Sequence, residues 1–215
     1  MQLTIIDLGI GNLRSVEQAF KTVAPNANIT VSSKPADIAN ADRVVLPGQG
    51  AIGTWFSALR ERNLESALKT AMDEKPLLGI CVGMQACFDH SEEDGGVDGL
   101  GLFKGQVRHF KQFHNAEEHL KIPQMGWNQV AQLREHALWK GIDDQAYFYF
   151  VHSYCANSSP DANLGMVYGM ADYGHQFIAA AGTGNVFAVQ FHPEKSHDDG
   201  LQLLKNFTTW NGKPQ

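Results

Sequence analysis

Two short runs hold residue types that could carry chemistry. The first is Gly79-Ile80-Cys81-Val82-Gly83, which follows the apolar pair Leu77-Leu78. A cysteine closing a strand, with small residues two positions to either side, has the pattern of a nucleophile elbow. Such a strand-to-helix turn lifts one side chain off the sheet and holds it on strained backbone. Glycine suits the flanks because it adds no side chain to a crowded turn. At the helix start that follows, free N–H groups and the helix dipole favour a thiolate. The Val82 N–H is placed to bind a developing oxyanion. A buried, inert thiol is the commoner fate of cysteine. The glycines and the strand set Cys81 apart, whereas Cys87 and Cys155 lack that setting and read as inert.

The second run is Phe191-His192-Pro193-Glu194, directly after the apolar segment Val186 to Gln190. A thiol nucleophile needs a base, and the base needs a group to orient it. Pro193 pushes His192 into an extended conformation, where residues i and i+2 face one side. Glu194 can then hold one imidazole nitrogen while the other faces the thiol. Among the remaining histidines, His114 and His119 share no helical face and read as part of a polar loop. His90, His109, His136, His175 and His197 read as surface residues.

Three glycine-rich stretches compete for attention. Pro47-Gly48-Gln49-Gly50-Ala51 follows a strand and opens a helix, but it lacks a full G-x-G-x-x-G and the lysine of a P-loop. Its backbone N–H groups could instead complete an oxyanion hole beside Cys81. Gly182-Thr183-Gly184 reads as a hairpin turn, and Gly9 to Asn12 as the turn between the first strand and first helix.

The elements that must position these residues follow from the apolar pattern. Strands are predicted at Leu3–Asp7, Ile29–Val31, Arg43–Leu46 and Leu77–Ile80, with a helix over Leu13–Val23. A helical pattern from Ile52 to Met72 breaks near Asn63. Alternating strands and helices imply an α/β fold with a mostly parallel, doubly wound sheet. The second half changes character. Gly105–Phe110, Trp127–Leu133, Ala146–Val151, Leu164–Met170 and Gln176–Ala181 read as antiparallel strands, Val186–Phe191 as one more strand, and Leu201–Trp210 as a closing helix. With no linker or repeat, the 215 residues read as one domain.

Whole-chain properties exclude other classes. Net charge is -6, with no basic stripe, which argues against a nucleic-acid partner. The acidic stretch Ser91-Glu92-Glu93-Asp94 reads as a solvated loop. No apolar run is long enough for a membrane span, and the N-terminus lacks the basic region of a signal peptide. Three cysteines without a C-x-x-C argue against a disulfide framework or zinc site and fit the reducing cytoplasm. Neither a metal nor an organic cofactor is indicated.

Taken together, these residues resemble the class I (triad) glutamine amidotransferases. The family pattern is P-G-x-G-A after an early strand, G-I-C-x-G-x-Q at the elbow and H-P-E near the C-terminus. It occurs here in that order as Pro47 to Ala51, Gly79 to Gln85 and His192 to Glu194. Further segments are similar to one branch of the family, the glutaminase subunits of imidazole glycerol phosphate synthase. They are Gly9 to Val16, Pro123 to Asn128, Phe150 to Tyr154, Val189 to Ser196 and Gly200 to Phe207, so the resemblance covers almost the whole chain. It departs from that branch at Gln124, where histidine is usual, at Gln49, where valine is common, and at Leu8, where tyrosine is frequent.

The resemblance implies a flavodoxin-like fold and a glutaminase that makes glutamate and ammonia through a Cys81 thioester, with His192 and Glu194 completing the triad. It implies an oxyanion hole from the Gln49 and Val82 backbone, and L-glutamine contacts from Gly48, Gly50, Gln85, His152, Ser153 and Tyr154. It implies a heterodimer with a (β/α)8-barrel cyclase subunit, with Asn12, Met125, Trp127 and Asn128 at the interface. By composition alone, Met125 and Trp127 fit an interface or a core. The ammonia would serve synthesis of imidazole glycerol phosphate and aminoimidazole-carboxamide ribotide in histidine biosynthesis. The Gln49 loop would rearrange when the partner binds its ligand, leaving the free subunit almost inactive. Three other readings share the motifs: a free-standing γ-glutamyl hydrolase, an amidotransferase subunit feeding a sugar-modifying enzyme, and a partner subunit without chemistry. The intact triad residues argue against the last.

Overall fold

The computed structural model describes residues 1–113, 120–157 and 164–213. Its first half alternates strands and helices: β1 (Gln2–Ile6), α1 (Leu13–Val23), β2 (Asn28–Ser32), α2 (Pro35–Ala39), β3 (Arg43–Gly48), α3 (Ile52–Glu61), α4 (Glu65–Glu74), β4 (Leu77–Cys81) and the single turn α5 (Val82–Gln85). Strands β3 and β4 are almost wholly buried because helices cover both faces of the sheet. Helix α1 buries Val16, Ala19 and Phe20 along one stripe. The predicted break between α3 and α4 falls at Asn63, whose φ is 56°. Asparagine tolerates that left-handed conformation better than most residues.

The second half supplies β5 (Phe88–Ser91), β6 (Val97–Asp98), β7 (Phe103–His109), β8 (Gln124–Gln129), β9 (Ala131–Gln132), β10 (Tyr147–His152), β11 (Tyr154–Asn157), β12 (Val167–Asp172), β13 (Gln176–Thr183), β14 (Val186–Val189) and α6 (His197–Thr209). The main sheet runs β2-β1-β3-β4-β14-β13-β12-β9. It is parallel as far as β14 and antiparallel beyond. This is the mixed, mostly parallel α/β architecture expected. Strands β8 and β10 form a separate antiparallel ribbon. A third sheet, β11-β7-β5-β6, has one parallel pair, β5 with β7, where the sequence suggested only antiparallel pairing.

Several expectations need correcting. The Ser91–Asp94 stretch is not a solvated loop. Ser91 is buried, a Glu93 carboxylate oxygen accepts from Ile52 N at 3.0 Å, and Asp94 accepts from Gly53 N at 3.0 Å. Ala51, the residue before α3, has no side chain to cap the helix, so these two carboxylates do so from a distance in sequence. His136 is buried rather than on the surface. It stacks on Phe187 at 4.4 Å, and burial pushes its pKa down to about 4. The hairpin turn is Gly184-Asn185, because Gly182 and Thr183 still pair with Phe187 and Val186. The strand predicted from Leu164 begins at Val167, after a 3-10 turn. His114 and His119 lie outside the described residues. Cys87 and Cys155 are buried, and burial pushes both thiols up to about 12, which fits the inert reading.

Candidate active site

Strand β4 ends on Cys81, which has φ 55° and ψ -111°. For a residue with a side chain that conformation is strained, and strain of this kind is characteristic of nucleophile elbows. The flanking glycines are sterically required. A Cβ on Gly83 would lie 1.9 Å from the Leu46 carbonyl oxygen, and one on Gly79 would lie 2.9 Å from the Ala188 Cβ. A Cβ on Gly48 would lie 2.7 Å from the Val82 Cβ, so β3 can pass beside the elbow only as glycine.

Strand β14 lies parallel to β4 with Val189 paired to Ile80. That register carries the chain past Cys81 and places Gln190 and His192, two residues apart, on the side of the thiol. His192 is extended, at φ -101° and ψ 93°. The extended geometry stops there, because Pro193 opens a 3-10 turn that brings Glu194 round to the ring. The Nδ1 of His192 bonds the Glu194 Oε1 at 2.8 Å, with the two side chains 2% and 1% exposed. Its Nε2 is buried and meets no hydrogen-bond geometry among the described residues, yet the Cys81 sulfur is close enough to act on its charge. Burial disfavours the imidazolium, but the Cys81 sulfur and the Glu194 carboxylate outweigh it and raise the His192 pKa to about 10.

Cys81 opens into a cavity of about 460 Å³. Of the residues expected around it, Gln49, Gly50, Val82, Gln85, His152, Ser153, Tyr154 and His192 form its lining; Gly48 and Glu194 sit behind it. Gln49 also accepts from Asn12 N at 3.1 Å, joining the loop after β3 to the turn after β1. His152 is buried, with Nδ1 2.7 Å from the Tyr154 carbonyl oxygen and Nε2 2.9 Å from the Gln124 amide. Burial pushes its pKa down to about 4, so it forms a neutral wall of the cavity. Nδ1 must donate to the carbonyl, so in the neutral ring Nε2 accepts, and the Gln124 amide, whose Oε1 lies at that 2.9 Å, must turn its NH₂ group there instead.

Two charged lining residues escaped the sequence reading, Glu93 and Lys195. Glu93 was hidden in the acidic stretch; burial raises its pKa, against the Ile52 N–H bond, and the neighbouring Asp94 adds to the rise. Lys195 directly follows the H-P-E run, which was the available signal. A cavity holding a thiol at its base and charges of both signs in its walls fits an amino acid whose side chain reaches the sulfur.

The four residues expected at an interface do not behave alike. Met125 and Trp127 are 66% and 44% exposed on one face of β8, which removes the core reading. Trp127 stacks flat on His197 at 4.9 Å. Asn12 is exposed; Asn128 is half-buried and donates to the Asp172 carbonyl at 2.8 Å. Among the described residues no three His, Cys, Asp or Glu side chains converge as a metal site would require, and no helix is long and apolar enough to cross a membrane.

The family description "Glutamine amidotransferase class-I" matches residues 4–210. The chain belongs to that family. It is 51% identical over 212 residues to the imidazole glycerol phosphate synthase subunit HisH 1 of Pseudomonas aeruginosa, covering 98% of each chain. It is 50% identical over 211 residues to the corresponding subunit of Dechloromonas aromatica, covering 97% of this chain and 96% of that one. A crystal structure of a glutamine amidotransferase, 18% identical, superposes with a TM-score of 0.69 over 96% of this chain and 99% of its own, which supports the fold. Within the class-I amidotransferases, then, the chain falls among the glutaminase subunits of imidazole glycerol phosphate synthase.

Proposed function

We propose that this chain, folded as one amidotransferase domain, hydrolyses L-glutamine with Cys81 as nucleophile, His192 as acid and base, and Glu194 as the group that orients it. The observation that carries the reading is Cys81 on its strained elbow at the base of the cavity, beside a His192 clamped by Glu194.

His192 takes the proton of the Cys81 thiol, which leaves a thiolate beside a cation. The sulfur attacks the side-chain amide carbon. The oxyanion is met by the N–H groups of Val82 and of the loop through Gln49. His192 gives its proton to the departing ammonia, then takes one from the water that cleaves the thioester and releases glutamate. Gly50, Gln85 and the His152–Tyr154 segment shape the glutamine site. Glu93, which lines the same cavity, receives the α-ammonium group.

The ammonia passes to a (β/α)8-barrel cyclase subunit docked on Asn12, Met125, Trp127 and Asn128, in the cytoplasm, for synthesis of imidazole glycerol phosphate. An exposed methionine and tryptophan side by side suit such a contact, and they favour a partnered subunit over a free-standing hydrolase. The test is glutaminase activity of the chain alone and with the cyclase plus its nucleotide ligand. Strong activation in the complex is the expected result. Full activity of the chain alone would point to the free-standing hydrolase, and none in either state would remove the triad reading.

A further inference from the structure

We propose that Gln190 is a further catalytic residue: its side-chain amide donates a hydrogen bond to the Cys81 sulfur, at the end of a buried amide relay that starts at the glutamine site. The inference rests on Cys81 being the nucleophile.

The relay has only one consistent direction. Gln85 Nε2 lies 3.0 Å from the Tyr154 carbonyl oxygen and 3.0 Å from the Gln190 Oε1. A backbone carbonyl can only accept, so the NH₂ group of Gln85 must face it, and this fixes the Gln85 amide. Its second hydrogen then points at Gln190, which must turn its oxygen there. The NH₂ group of Gln190 is left facing Cys81 Sγ, at 3.6 Å. Gln85 is 4% exposed and Gln190 fully buried, so water does not compete for these groups. The Gln190 backbone is also held, its N–H donating to the Ala179 carbonyl at 2.9 Å.

A sulfur that meets an N–H donor is an acceptor, and the stronger acceptor is the thiolate. The donor stabilises the charge needed for attack and leaves the side of His192 free for proton transfer. Because Gln85 lines the glutamine cavity and also orients Gln190, a substrate that shifts Gln85 acts on the nucleophile through one intervening side chain.

The test uses Gln190→Met, which keeps length and bulk without a donor, and Gln190→Glu, which keeps the Gln85 bond but turns an oxygen on the sulfur. Alkylation of Cys81 by iodoacetamide is followed across pH in the full chain, with each cysteine quantified by peptide mapping. His192, Glu194, His152, Glu93, Tyr154 and Lys195 are unchanged in both variants. The pH midpoint of Cys81 alkylation should rise by about one unit in Q190M and at least as far in Q190E, with about a tenfold fall in glutaminase kcat in the complex and a smaller change in KM. Folded variants with the wild-type midpoint would overturn the proposal, as would a rise in Q190M that Q190E abolishes. If wild-type Cys81 reacts no faster than Cys87 and Cys155, Cys81 is not an activated nucleophile and both readings fall.

Discussion

The floor and the outer wall of the cavity are built differently. The floor, with Cys81 and His192 and with Gln190 buried behind the thiol, lies where β4 and β14 run side by side inside the eight-stranded sheet. The wall, with His152 backed by Gln124, is the two-stranded ribbon β8–β10, which joins no larger sheet among the described strands. A lone two-stranded ribbon is marginally stable, so other contacts must hold this one. They are specific: the His192 N–H donates to the Tyr149 carbonyl at 2.9 Å, and the Tyr149 N–H donates to Ser196 Oγ at 3.0 Å. Tyr149 pairs with Trp127 across the ribbon. A partner seated on Trp127 would thus press on an element bonded directly to the backbone of His192. The proposed nucleophile and base sit on the eight-stranded sheet, while His152 of the proposed glutamine site and the exposed ridge share a thinner element that can transmit a push.

The floor should yield the largest effects. Cys81→Ala should lower glutaminase turnover in the complex by at least about 10⁴-fold, measured as glutamate release. Glu194→Gln, which leaves His192 in place but removes its orienting charge, should lower kcat by about 10²-fold with KM little changed. The wall should respond in binding terms. Trp127→Ala should weaken cyclase affinity by about tenfold or more in a titration while leaving the thermal stability of the free chain nearly unaltered. A large loss of stability instead would mean that ribbon and ridge are one structural body. Glu93→Gln should raise KM for glutamine by about tenfold at similar kcat, read from saturation curves; an unchanged KM would remove Glu93 from the ammonium site.

The smallest effects concern pH, where floor and wall differ in sign. His192 has its pKa raised in the folded state to about 10. Its stabilising effect is complete below about pH 6.5 and is lost as pH rises toward 10. His152 in the wall, like His136 packed against Phe187, is pushed down to about 4. The unfolded chain therefore binds more protons between pH 6.5 and 4, and folding weakens as pH falls through that window. Thermal unfolding across pH should show the acid-side loss shrinking in His136→Phe, and the stability gap between wild type and His192→Asn narrowing above pH 8.

Much of the floor was legible in the sequence because its parts are local. The elbow is five consecutive residues, and the base with its carboxylate is three. The break at Asn63 and the strands of the parallel sheet followed from short apolar runs. The wall was less legible because its meaning lies in partners distant along the chain. Glu93 caps a helix that begins 41 residues earlier, and Gln124 meets His152 across 28 residues. Gln190 reaches Cys81 across 109. Helix α2 was missed because five residues opened by a proline show too little periodicity. Strand β5 was missed because Asp89 and His90 interrupt its apolar pattern.

The placement of the tryptophans has a spectroscopic consequence. Trp55, Trp139 and Trp210 are enclosed at 0%, 4% and 3% exposure, and only Trp127 meets solvent. Its emission should therefore be the red-shifted, quencher-accessible component of the intrinsic fluorescence. Covering β8 should move that component toward the blue and shield it from iodide, while a ligand that fills only the cavity should leave it unaltered. The protein thus carries its own label for telling docking apart from substrate binding.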